Sequence, residues 1–175
     1  MASTSIYKRE LLAILGSTLL VLVPAIVADA ANPEPVTVGM SFLDPVTITE
    51  VNALQYGILD QTLNTETIII APNSSVSGTG TALILAGTQA AANLTVTATA
   101  SQTLTILVDS IVNGTGYALS TFVCNYNTGT DTACNSYTPT SVASATLLVG
   151  ATLTGDNLAV AGAADGSFNV TVAYQ

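Results

Sequence analysis

Cys124 and Cys134 are the only cysteines in the chain, with nine residues between them in the polar stretch Asn125–Asn135. In an oxidising compartment this spacing predicts a disulfide that closes a hairpin or loop. Closing a loop of that size stabilises a fold by roughly 2–3 kcal/mol. The alternative is two free buried thiols. Beyond residue 30 the acids are Glu34, Asp44, Glu50, Asp60, Glu66, Asp109, Asp131, Asp156 and Asp165, and they are scattered. No Asp-x-Asp-x-Asp-Gly loop gathers them, which leaves calcium only Asp131 or the Asp156/Asp165 pair as weak candidates. A glycosidase pair of carboxylates usually works beside aromatic platforms. Three Phe, six Tyr and no Trp are thin stock for one.

The missing residues exclude more. There is no His, and the two basic side chains are Lys8 and Arg9. A Ser-His-Asp triad, a Schiff-base lysine and an arginine clamp have no residues to build them. Zinc would have two Cys and carboxylates, a poor ligand set. Nucleic acid needs several cations to neutralise phosphates, so it is excluded as a partner. The expectation is a non-enzyme with no catalytic residues, no cofactor and no metal. Packing, backbone hydrogen bonds and one disulfide would hold it together.

Asn73, Asn93, Asn113 and Asn169 each begin an Asn-x-Ser/Thr sequon. About three such sequons are expected by chance in a chain this rich in Ser and Thr, so the number alone says little. Asn93 and Asn169 fall on the Thr-bearing face of their segments, where a glycan would point outward. Tyr56, Tyr117, Tyr126, Tyr137 and Tyr174 read as strand packing before they read as ligand contacts.

These groups need elements to position them. Lys8-Arg9, the apolar run Leu11–Val27 and Ala28-Asp29-Ala30 have the layout of an export signal over residues 1–30. A retained membrane anchor is the alternative, since seventeen residues is the lower edge of spanning length. Pro24 and the small residues favour cleavage, which leaves no membrane segment in the mature chain. From there on, period-two alternation recurs. It runs through Val36–Phe42, Val46–Thr49, Leu94–Thr99, Thr103–Ile106 and Phe168–Tyr174, with Thr on the outer face. Turn signals fall at Ala71-Pro72-Asn73, Ser77-Gly78-Thr79-Gly80, Asn113-Gly114, Gly155-Asp156-Asn157 and Asp165-Gly166. Roughly seven to ten short strands at that spacing predict an all-β sandwich over residues 45–175. The segment 31–44 stands apart, stiffened by Pro33 and Pro35 and broken from the next strand by Leu43-Asp44-Pro45. It pairs in cis as an ordinary first strand, or its Val36, Val38, Met40 and Phe42 complete the sheet of a neighbour as a donor strand.

Val46–Leu59 contains Leu54-Gln55-Tyr56-Gly57-Ile58-Leu59, and the chain closes with Leu147–Leu153 and then Asp165–Tyr174. These segments resemble a family of secreted pilin-like domains. Its pattern is an opening strand with Leu-x-Phe/Tyr-Gly-x-Ile/Leu, a Val-Gly-x-x-Leu step and a closing Gly-x-Phe/Tyr-x-Val-Thr-Val-x-Tyr strand. The ending is also similar to chaperone–usher pilins, with Tyr174 penultimate, Gly162 fourteenth from the end, and Phe168, Val170 and Val172 alternating between. Archaeal thread filaments, glycosylated and linked by donor strands, are similar in architecture. The resemblance implies an immunoglobulin-like, pilin-like sandwich that assembles head-to-tail with copies of itself into a surface filament outside the cell. A monomeric secreted adhesin or binding module is the competing expectation.

Overall fold

The computed structural model describes residues 37–162 and 166–175. The expected export signal, Val36 and Asp165 lie outside the described residues. The chain divides into two units, Met1–Met40 and Ser41–Gln175. Of the first unit, residues 37–40 are described. They form no strand, and Val38 and Met40 are 77% and 74% exposed.

The second unit contains eleven strands among its described residues: β1 (Thr47–Asn52), β2 (Ile58–Leu59), β3 (Thr67–Ile70), β4 (Val76–Ser77), β5 (Ile84–Ala86), β6 (Ala92–Thr97), β7 (Leu104–Val112), β8 (Tyr117–Tyr126), β9 (Thr132–Ala133), β10 (Ser144–Gly155) and β11 (Ser167–Tyr174). Single 3-10 turns span Thr81–Leu83 and Cys134–Ser136. The expected alternation is present where it matters. In β6, Ala92, Leu94 and Val96 are buried while Asn93, Thr95 and Thr97 are half-buried on the other face. The strand period of two forces that split. The last strand likewise turns Phe168, Val170, Val172 and Tyr174 one way and exposes Ser167, Asn169, Thr171 and Ala173. Gly162 falls outside this strand, in the connection that leads from β10 to β11. The Ser41–Val46 stretch, which includes Phe42, carries no strand pairing.

β10 is the spine of the larger sheet. One of its edges carries β8 from Leu147 to Gly155. Its other edge carries β6 over Ser144–Val149 and then β3 over Ala151–Thr154. The change of partner falls at Gly150, where a Cβ would lie 2.1 Å from the Ile70 carbonyl oxygen. Only a residue without a side chain lets β3 come that close. β1 extends the sheet beyond β6, and β4 beyond β3.

The smaller layer is β11 paired with β7. On its other edge β7 meets the chain at Tyr137 through an isolated bridge from Ile106, and Thr103, just before β7, bridges to Thr140. The two layers close over Leu104, Ile106 and Val108 from β7, Val172 from β11, and Val96, Cys124, Leu147 and Val149 from the larger sheet. The structure is thus an all-β sandwich, as the alternation predicts. The predicted disulfide is present: Cys124 of β8 is bonded to Cys134, with Cα atoms 4.9 Å apart. It staples the larger sheet to the segment that flanks β7.

Candidate functional site

The sandwich is shut at one end and open at the other. At the shut end the chain enters at Asp44. The Asp44 N–H donates to Thr99 Oγ1 (2.7 Å), and the Tyr174 hydroxyl donates to the Asp44 carbonyl (2.7 Å). The same hydroxyl accepts from the Thr99 N–H (2.7 Å). Three chain segments therefore meet in one knot where β11 finishes. Val46 and Ile48 pack onto the closed core beside it.

Toward the start of β11 the layers part. A groove of about 1340 Å³ opens there. One wall is the outer part of β1 and the chain after it, from Glu50 through Leu54, Tyr56 and Leu59. The facing wall is Gly166–Thr171, with Phe168 and Val170 turned inward. Leu94 of β6, Leu119 of β8 and Leu153 of β10 contribute to its floor. The volume exceeds the roughly 300–1,000 Å³ of an ordinary small-molecule pocket.

Both walls are sheet edges. β1 pairs with β6 and has no strand on its other side; β11 pairs with β7 and has none on its other side among the described residues. Each edge presents backbone N–H and C=O groups that seek partners. The groove thus offers an apolar floor between two hydrogen-bonding rails.

The Leu54–Leu59 motif builds the first wall. Leu54 packs on the closed core, and Leu59 joins a second, smaller core around Leu63, Ile68 and Leu153. Between them the Tyr56 hydroxyl donates to the Ala151 carbonyl at 2.7 Å. Burial pushes the Tyr56 phenol well above its ordinary value, and the nearby Tyr117 adds to this. Tyr56 therefore stays neutral and fixed. Gly57 has φ +81°, and a Cβ there would lie 2.6 Å from the Ala86 carbonyl oxygen. The wall can bend against the β2–β5 pair only with glycine at this position. Phe168 is held on the opposite wall by a tilted ring contact with Phe122, centroids 4.9 Å apart.

Of the other sequence-predicted residues, Tyr117, Gly162 and Asn169 also line the groove, while Asn73, Asn93 and Asn113 lie outside it. Asn73, Asn113 and Asn169 are exposed, whereas Asn93 is half-buried in β6 between β1 and β10. Two of these side chains serve the backbone: Asn73 Oδ1 accepts from the Ser75 N–H at 3.0 Å, and Asn113 Oδ1 from the Leu119 N–H at 2.8 Å. The weak calcium candidates are occupied locally. Asp131 Oδ1 accepts from Asn125 Nδ2, and Asp156 Oδ1 from the Leu158 N–H. Among the described residues no three acidic, His or Cys side chains gather as a metal site. Nothing in the sequence marks the groove floor or the Asp44–Thr99–Tyr174 knot. The signal for the wall was present in the Leu54–Leu59 motif; the floor residues look like any other strand core.

An all-β sandwich with an unfilled groove between its first and last strands is the class that fold and site define. The chain belongs to the family described as a domain of unknown function (DUF4402), which matches residues 46–174. No curated protein and no solved structure matches the chain.

Proposed function

We propose that this protein is a structural subunit of an extracellular filament and that copies of the chain join by donor-strand complementation. Residues 1–30 direct export, the segment 31–44 is the donor arm, and Val36, Val38, Met40 and Phe42 of one copy fill the groove of the next. The observation that carries this reading is the groove itself, an apolar floor between two strand edges that are unpaired among the described residues. An extended strand satisfies both requirements at once. Its alternate side chains cover the floor and its backbone pairs with the rails.

The arm has the complementary deficit. Val38 and Met40 are exposed, and Phe42 is 88% exposed. Burying Val36, Val38, Met40 and Phe42 would contribute roughly 6–12 kcal/mol gross. Ordering the arm and joining two bodies offsets part of that. Ladder hydrogen bonds add about 1 kcal/mol each. Arm and groove are different surfaces, so the contact is head-to-tail and propagates instead of closing a dimer. The exposed acceptors Asn73, Asn113 and Asn169 are the sequons we assign to glycans on the filament surface; Asn93 is the least accessible of the four.

Deleting residues 31–42 tests the proposal. Negative-stain microscopy should show fibres for the intact mature chain and none for the truncated one. Normal fibres from the truncated chain contradict strand exchange. An intact chain that stays monomeric in size-exclusion chromatography at every concentration supports a monomeric surface-binding module instead.

A further inference from the structure

We infer that the open mouth of the groove is a seat for the root of the neighbour's arm, Phe42 and Leu43, and that the arm therefore lies antiparallel to β11. This rests on the strand-exchange reading above and adds the direction of insertion and a second contact surface.

Two apolar patches lie at opposite ends of the second unit. At the knot end, Phe42 and Leu43 are exposed immediately before Asp44. At the mouth, Ile58, Leu85 and Val160 are 60%, 62% and 70% exposed and all three line the groove. Register places the mouth. β11 begins there, opposite Val112 at the end of β7. β8 begins there too, with Tyr117 opposite Gly155 at the end of β10. Val160 belongs there because its neighbour Ala159 lies against Gly116, where a Cβ would come within 2.4 Å of the Ala159 Cα. Ile58 and Leu85 belong to the β2–β5 pair, whose Leu59 and Ile84 share a core with Tyr117. Patches this apolar at each end of an isolated chain fit a contact that joins one end to the other.

The groove's shape decides the direction. Its walls end at Glu50 and Thr171. Past them, Ile48 and Val172 pack into the closed core and the Asp44–Tyr174 knot seals the end. An arm whose N-terminal end leads must enter from the mouth, with Val36 deepest and Phe42 last. That polarity runs against β11, which travels from mouth to knot. Length agrees. The wall Gly166–Thr171 is about 20 Å long at ~3.3 Å per residue, whereas Val36–Phe42 spans about 23 Å. The last side chain, Phe42, overhangs into the mouth and brings Leu43 with it. At the deep end Pro35 has no N–H to give a ladder, so pairing stops there.

The test uses filaments of the full mature chain carrying the photo-crosslinker p-benzoylphenylalanine in place of Phe42. That position is exposed, so folding is not at risk. Assembly from mixed nitrogen-15-labelled and unlabelled chains identifies links between copies by mass. Digestion needs chymotrypsin, since trypsin has no site after Arg9. The expected result is a link between copies to Ile58, Leu85 or Val160 or to their immediate neighbours. A link between copies to Val46–Ile48 or Val172–Tyr174 overturns the seat and the direction and leaves strand exchange standing. Links within one copy only, or none, in assembled material overturn both.

Discussion

The two ends of the sandwich use the same strands to different effect. At the knot end, β6, β7, β8, β10 and β11 all contribute to one core, a disulfide ties β8 to the segment that flanks β7, and Tyr174 holds the entering chain. At the mouth end, the larger sheet continues through β3 and the Ala151–Thr154 part of β10, and the smaller layer becomes the facing wall of the groove and leaves the floor between them uncovered. Leu63, Ile68 and Leu153 form a second core that faces the groove. The difference lies in what covers each floor. The shut end is covered on both sides, while the open end has an apolar floor between two strand edges that carry no partner among the described residues.

The comparison can be broken by substitution. Leu147→Ala at the shut end should cost about 2–5 kcal/mol of unfolding free energy, equally in truncated monomer and in filament. Phe168→Ala at the groove should cost the monomer less and the filament more, because its cavity lies against the incoming arm. Denaturant melts of both forms check this; equal costs at both sites in both forms would erase the distinction. Removing the disulfide with Cys124→Ser and Cys134→Ser should cost about 2–4 kcal/mol. Gly150→Ala should cost about 1–3 kcal/mol, since its Cβ meets the Ile70 carbonyl and β3 must move. Tyr174→Phe keeps the ring and removes two hydrogen bonds, about 1–2 kcal/mol by thermal melt.

The smallest effect is acid sensitivity near the mouth. Asp60 is held below its ordinary 3.8, first by the Thr62 N–H and then by the Thr62 side chain, and Glu66 below its ordinary 4.5, first by the Asn64 N–H. Lowered carboxylates stabilise the fold fully above their unfolded values and stop doing so as pH falls through the folded ones. Both groups are half-buried and each is bonded to a backbone N–H two residues away, so the loss is local. The Thr62 and Asn64 amide signals should move below about pH 4 in an NMR titration while the shut-end core stays folded. Global unfolding over that range would contradict a fold with so few carboxylate partners.

Much of this was legible in residue order. Alternation in Leu94–Thr99 and Phe168–Tyr174 gave the strands that carry the core, and the turn at Asn113-Gly114 separates β7 from β8 as its dipeptide predicts. The Cys124–Cys134 spacing gave the staple. The groove was not legible, because a floor residue such as Leu153 alternates as a core residue does. Whether a layer covers it depends on how the β7–β11 pair lies against the larger sheet, a long-range fact. The knot was hidden for a related reason: Asp44 and Tyr174 lie 130 residues apart, and nothing local in either marks the other. Gly162 matches a position in the closing-strand pattern of chaperone–usher pilins yet lies in a connection, since strand length is set by pairing with β7 and not by count from the terminus.

Amide hydrogen exchange on the chain lacking residues 31–42, with and without a synthetic peptide of that sequence, bears most directly on the groove as a strand acceptor. Peptide should slow exchange of alternate amides along Phe168–Thr171 and leave the far edge of β8 unchanged. Unaltered exchange along β11 at saturating peptide, or protection confined to another edge, would contradict the account.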